Sequence, residues 1–172
     1  MTLTRARLLE VVEYDSNTGI FVWCHRRGGD IGEKICTSKY AGKIAGGITS
    51  FGYWRLSIDR RYYQAHRLAW LYVHGEWPKA VIDHADGNKL NNAIANLREA
   101  SVSENAANSV IRKDNTSGFK GVYLDKRIMR WSARLRVDGR YKALGYFGSA
   151  QEASAAYDAA SQAHFGKFAR LS

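Results

Sequence analysis

From Arg130 to Val137 the chain alternates without interruption: Trp131, Ala133, Leu135 and Val137 fall on one parity, and Arg130, Ser132, Arg134 and Arg136 on the other. Successive side chains of an extended strand point to opposite sides, so this segment satisfies its pattern as a strand with one packed face and one cationic face. Asp138-Gly139 follows, a dipeptide suited to the positive-φ turn of a tight hairpin, and leads into a strand over residues 141–147. Residues 119–123 supply an earlier strand. Ser149-Ala150-Gln151-Glu152 then has the pattern of a capping box and opens a helix that runs to about His164 and stops at Gly166. Ala153, Ala156, Tyr157 and Ala160 give that helix a smooth face able to lie close against a sheet. A three-stranded antiparallel sheet packed on one helix is therefore expected over residues 118–172.

Upstream, residues 112–117 have linker composition, and a domain boundary is expected there. Ser101-Val102-Ser103-Glu104 is a second capping-box pattern and predicts a helix to about Ile111. Near the start, residues 3–12 read as a short helix ending at the turn cluster Asp15-Ser16-Asn17-Thr18-Gly19. Ile20-Phe21-Val22-Trp23, the alternating Trp54, Leu56 and Ile58, and Tyr62-Tyr63-Gln64-Ala65 beyond the Asp59-Arg60-Arg61 turn read as small antiparallel strands with basic loops suited to phosphate. A helix follows from His66 to His74, apolar at Leu68, Leu71 and Tyr72, closed by Gly75 with Pro78 beyond. His66 and His74 read as structural.

The net charge of +10 favours a polyanionic partner, and its distribution sharpens that reading. Residues 1–66 carry +4, residues 67–111 carry −1 and residues 112–172 carry +7, so two basic lobes flank a near-neutral middle. No run approaches the ~18 apolar residues a spanning helix needs, and the first residues lack the apolar core of a signal peptide. A cytoplasmic protein with no membrane partner is expected. Cys24 and Cys36 are too few for a disulfide framework and, with His25, offer too few ligands for zinc; ordinary packing is the reading.

Chemistry concentrates in residues 81–105, which read as strand, polar loop, strand and helix. Asp83 and His84 end the first strand, Asn96 opens the second, and Asn105 falls in the first turns of the helix. Phosphodiester hydrolysis needs a base to deprotonate water and a divalent cation to stabilise charge on the phosphate and the departing 3′ oxygen. The His84 imidazole suits the first task; Asp83 and Asn105 offer the hard oxygen ligands that Mg²⁺ or Mn²⁺ prefers, one ion per site, with waters and phosphate oxygens completing the shell. Asp86, Gly87, Asn88, Asn91 and Asn92 are read as turn residues.

An Asp-His pair, an Asn twelve residues after the His and another nine further on resemble the HNH, or ββα-metal, nuclease motif, over residues 62–110. The resemblance implies that His84 is the general base, that Asn96 pins the loop and orients the histidine, and that Asp83 and Asn105 hold the metal. Asn105 stands where the commonest pattern has a final histidine; that H-N-N form is similar to phage and intron-encoded homing endonucleases. Residues 115–172 resemble the AP2/ERF DNA-binding domain through Gly121-Val122, Leu144-Gly145-Tyr146-Phe147, Ala156-Tyr157-Asp158 and Phe168-Ala169-Arg170-Leu171. That family inserts a sheet into the major groove, which implies that Lys120, Tyr123, Lys126, Arg127, Arg134, Arg136 and Tyr141 face DNA.

The expectation is an α+β chain: a β-rich DNA-contacting region at 1–61, an HNH core at 62–111, a linker at 112–117 and an AP2/ERF-like domain at 118–172. It is expected to be a site-biased nicking or homing endonuclease of phage or mobile-element origin, monomeric on double-stranded DNA in a bacterial cytoplasm, with no small-molecule cofactor. The rival reading is a DNA-binding regulator with an inactive nuclease remnant.

Overall fold

The computed structural model describes residues 2–24 and 39–171. Cys36 and His25 lie outside the described residues. The chain is mixed α and β, and its contacts divide it into two units, Met1–Glu99 and Ala100–Ser172.

In the first unit, α1 (Arg5–Val11) is capped by Thr4, whose hydroxyl accepts from the Arg7 amide at 3.2 Å. It feeds directly into β1 (Val12–Tyr14), which pairs antiparallel with β2 (Phe21–Trp23). Gly19, at φ 75°, closes this hairpin where only glycine fits: a Cβ there would lie 2.3 Å from the Asn92 carbonyl carbon. The Tyr14 hydroxyl donates to the Asn92 carbonyl at 2.6 Å, and the Ile94 amide donates to the Ser16 carbonyl at 3.0 Å. The N-terminal hairpin thus forms the wall against which the 88–94 loop is set.

A three-stranded sheet in the order β3 (Gly47–Ile48), β4 (Trp54–Ile58), β5 (Arg61–Gln64) follows, with Asp59 and Arg60 at positive φ in the last turn. Arg7 grips Asp59 with two hydrogen bonds of 3.0 and 2.7 Å, tying α1 to that turn. Helix α2 (Ala65–His74) ends at Gly75 in the left-handed conformation, as the sequence predicts. Then β6 (Val81–His84) pairs with β7 (Leu97–Ala100), a single 3₁₀ turn at Ile94–Asn96 leading into the latter. Leu8, Phe21, Leu56, Leu68 and Leu71 are fully buried and anchor one core under all these elements.

The second unit opens with α3 (Val102–Ala107), where Ser101 and Glu104 form both bonds of the capping box. The helix is one turn shorter than expected because side chains take its last carbonyls: the Ser109 hydroxyl donates to Ala106 at 2.7 Å and the Lys120 ammonium to Ala107. Asn115 folds the next stretch on itself, accepting from the Gly118 amide at 2.7 Å and donating to the Phe119 carbonyl at 2.9 Å. Consequently β8 (Val122–Asp125) starts later than the pattern suggests. With β9 (Arg130–Val137) and β10 (Arg140–Phe147) it forms an antiparallel sheet of order β10-β9-β8, bulged between Ala143 and Gly145. Helix α4 (Ala150–Phe165) covers one face; Ala153 and Tyr157 pack there with Val122, Ala133 and Leu135. Among the described residues no helix is long and apolar enough to cross a membrane.

Candidate active site and nucleic-acid face

Strand β6 ends by delivering Asp83 and His84 into the interior, 4% and 5% exposed. A buried carboxylate needs a partner, and Arg98 on the neighbouring β7 supplies one: its Nε and a terminal nitrogen lie 2.9 and 2.8 Å from the Asp83 Oδ2. Asn96 does what a loop pin must. Its Oδ1 accepts from the Asp86 amide at 3.0 Å, and its Nδ2 donates to Asp86 Oδ1 at 3.0 Å and to the Asn91 carbonyl at 2.8 Å. Burial alone would raise the Asp86 carboxyl, but the donors Asn91, Asn88 and Asn96 outweigh it and hold the group below its ordinary range.

The partner of His84 is a residue the sequence reading left to the turn. Asn92, 2% exposed, lies with its Oδ1 3.3 Å from His84 Nε2, while its Nδ2 donates to the Leu90 carbonyl at 3.1 Å. Because the amide nitrogen is committed to a carbonyl, the oxygen is the atom facing the imidazole, and an oxygen can only accept. Nε2 therefore carries the proton and Nδ1 keeps the lone pair. Burial lowers the proton affinity of His84, opposed in part by Asn92 and by the charges of Asp86 and Asp83, so the ring is neutral at neutral pH.

His66 and Tyr53 complete the surroundings. The His66 ring meets His84 edge-on with centroids 5.2 Å apart, and Tyr53 lies 5.5 Å from His66 and 6.2 Å from His84. Burial, with His84 and Arg67 adding to it, pushes His66 down to about 3, so it too is uncharged. His74 packs instead on Trp70, centroids 4.1 Å apart. No contiguous signal marks Asn92, Arg98, His66 or Tyr53 in the sequence; Arg98 alone is hinted at, since it lies on the strand expected to pair with that of Asp83. Asp83, His84 and Asn96 are brought together in the first unit. Asn105 lies half-buried on α3 in the second.

The second unit presents a cationic and aromatic face. Tyr123 sits opposite Ser132 and Tyr141 opposite Arg136, so Arg134 is the diagonal neighbour of both tyrosines. Its guanidinium lies 4.6 Å from the Tyr123 ring centroid and 4.5 Å from that of Tyr141; Arg136 lies 5.7 Å from Tyr141. Two rings hold one exposed arginine upright. Lys126 is exposed, and Arg127 folds back on Asp125 at 3.1 Å. Lys120 departs from the expected set. It is 8% exposed, and its ammonium donates to the carbonyls of Ala107 and, at 3.3 Å, Arg170. Its ammonium joins the carbonyl at the end of α3 to that of Arg170, near the last described residues.

Residues 63–107 match the family described as HNH endonuclease. Protein 3.8 of Escherichia phage T7 is 39% identical over an alignment of 85 residues that covers 47% of this chain and 70% of that protein. A solved structure titled "DNA binding and cleavage by the HNH homing endonuclease I-HmuI" is 27% identical, with a TM-score of 0.40 over 57% of this chain and 51% of that one. The chain thus spans about half the length of that structure's protein.

Proposed function

Because residues 63–107 match the HNH endonuclease family, we propose that the chain is a site-biased DNA endonuclease that hydrolyses one phosphodiester bond per encounter. The observation that carries this reading is the buried His84, with its Nε2 3.3 Å from the Asn92 side-chain oxygen, at the end of the strand that also carries Asp83. In the reaction His84 takes a proton from water, the hydroxide oxygen forms the new bond to phosphorus, and the bond to the 3′ oxygen breaks. Asn96 keeps the loop that frames the site from opening.

Among the described residues no group of three or more His, Cys, Asp or Glu side chains could hold a metal ion. The ion we propose is Mg²⁺ or Mn²⁺, since Mg²⁺ takes one or two carboxylates and completes its shell with waters and substrate phosphates. Asp83 is the residue of the first unit that would hold it, and the ion would supply charge stabilisation at the phosphate and departing oxygen.

In the proposed division of labour, residues 62–111 cut, 1–61 bind DNA alongside, 112–117 connect, and the sheet of 118–172 enters the DNA groove in the manner of AP2/ERF domains. Its support is the sheet-on-helix architecture and the exposed face of Tyr123, Arg134, Arg136 and Tyr141. The origin we propose is a phage or mobile element acting in a bacterial cytoplasm. On supercoiled plasmid with Mg²⁺ or Mn²⁺, open circles are expected first and linear product later, since one constellation serves one strand; a chelator stops both. Absence of cutting with either ion would favour a DNA-binding regulator, and linear DNA formed directly by a monomer would overturn the nicking mode.

The two kinds of basic residue in the second unit are separable by salt. Arg134→Ala with Arg136→Ala should flatten the log–log dependence of DNA affinity on salt by up to about 1.8, at roughly 0.9 for each phosphate no longer neutralised. Lys120→Met should leave that slope unchanged while lowering stability by about 1–3 kcal/mol through loss of the ammonium's hydrogen bonds to the Ala107 and Arg170 carbonyls. A slope change in the Lys120 variant alone would reverse the assignment.

A further inference from the structure

Resting on the nuclease reading, we propose that Phe51 is a wedge that inserts between stacked bases of the duplex beside the scissile phosphate. Phe51 is 80% exposed, the most exposed large apolar side chain among the described residues. It occupies the tip of the turn between β3 and β4, closed by the Gly52 amide donating to the Thr49 carbonyl at 2.9 Å. Among the described residues of the first unit, no packing accounts for an aromatic ring in that place.

The turn is tied to the site. Lys89, from the loop that follows His84, donates through its ammonium to the Phe51 carbonyl at 3.2 Å, and the same ammonium lies 4.5 Å from the centre of the Tyr53 ring. Tyr53 is in ring contact with both His66 and His84. Two residues of chain span at most about 7 Å, so the Phe51 backbone lies within a few nucleotide steps of any phosphate that reaches His84. Lys89 also sets a positive charge at the foot of the ring, where the backbone of an opened base step would pass.

The base itself is the reason a wedge is needed. At 5% exposure, His84 stands behind its neighbours, and the smooth backbone of an undistorted duplex cannot bring a phosphodiester down to it. Apolar side chains pushed between base pairs partly unstack them and kink the helix, displacing the adjoining backbone. Phe51 would produce that displacement next to the one residue that requires it. The steps most easily opened, TA and CA/TG, should then be over-represented at cut sites even where no side chain reads a base edge.

The test uses the full-length chain and needs no knowledge of the target. A relaxed plasmid is treated with topoisomerase in the presence of the cleavage-silent His84→Ala protein, and the linking-number distribution is read after protein removal. Partial intercalation unwinds DNA, so His84→Ala should leave underwound topoisomers. Adding Phe51→Ala should abolish that shift at matched occupancy, whereas Phe51→Leu retains part of it. With His84 intact, Phe51→Ala should nick plasmid at least tenfold more slowly with affinity changed less than threefold. A shift that persists in Phe51→Ala, no shift at all in His84→Ala, or unimpaired nicking by Phe51→Ala would each overturn the wedge while leaving the nuclease reading standing. That reading fails separately, if protein with both residues intact cuts nothing.

Discussion

His84→Ala is expected to lower the rate of DNA cleavage by about 10²–10⁴-fold, the range in which a positioned general base contributes. DNA affinity should be nearly unchanged. The ring is buried, so it offers little surface to the nucleic acid, while basic residues such as Arg55, Arg60, Arg134 and Arg136 are exposed. The comparison is a gel-shift titration beside a plasmid-nicking time course, with circular dichroism confirming the fold because removing a buried ring leaves a cavity. Loss of affinity and cleavage in equal proportion would show that His84 binds rather than reacts.

A second large effect is expected at Asn92. Asn92→Leu removes the oxygen that holds the Nε2 proton while nearly preserving volume, so the imidazole is released to its other tautomer, with Nδ1 protonated and unable to accept from water. We expect a loss of about 10²–10⁴-fold in cleavage, comparable to losing the base itself. Asn92→Asp restores an acceptor at the same place and should recover much of the rate, which a purely structural role would not allow, because the Asp variant also lacks the hydrogen bond to Leu90. Equal damage from the two substitutions would refute the tautomer argument, and thermal melts of both would show how much is loss of packing.

Elements were legible where their cause is local. The alternation of β9, the capping box at Ser101, the N-cap at Ser149 and the glycine after α2 each contain their own physical reason and appear where the sequence puts them, although Glu152 reaches back to the Gly148 amide and so does not close a capping box with Ser149. Asp83, His84 and Asn96 were legible by spacing on one hairpin. Asn92 was not, because an asparagine in a polar turn reads the same whether it serves the backbone or a histidine; what makes it a positioning residue is burial beneath Tyr14, which lies 78 residues earlier. His66 was invisible for a similar reason, its contact with His84 being made between α2 and the end of β6, 18 positions apart in the chain. Lys120 looked like its cationic neighbours, and only the carbonyls of Ala107 and Arg170, 13 and 50 residues away, set it apart.

The contact of Gly19 with Asn92 bears on how far the HNH-matching segment is portable. The family match begins at residue 63, yet the loop that carries Asn92 to His84 is pressed into shape by a turn 44 residues upstream of that boundary. A graft of residues 63–107 into another scaffold would carry every residue of the motif and still leave Asn92 unsupported on one side. The smallest transplantable catalytic piece must include the β1–β2 hairpin, and a natural recombination joint between residue 24 and residue 63 would produce chimaeras with an intact signature and a slack histidine.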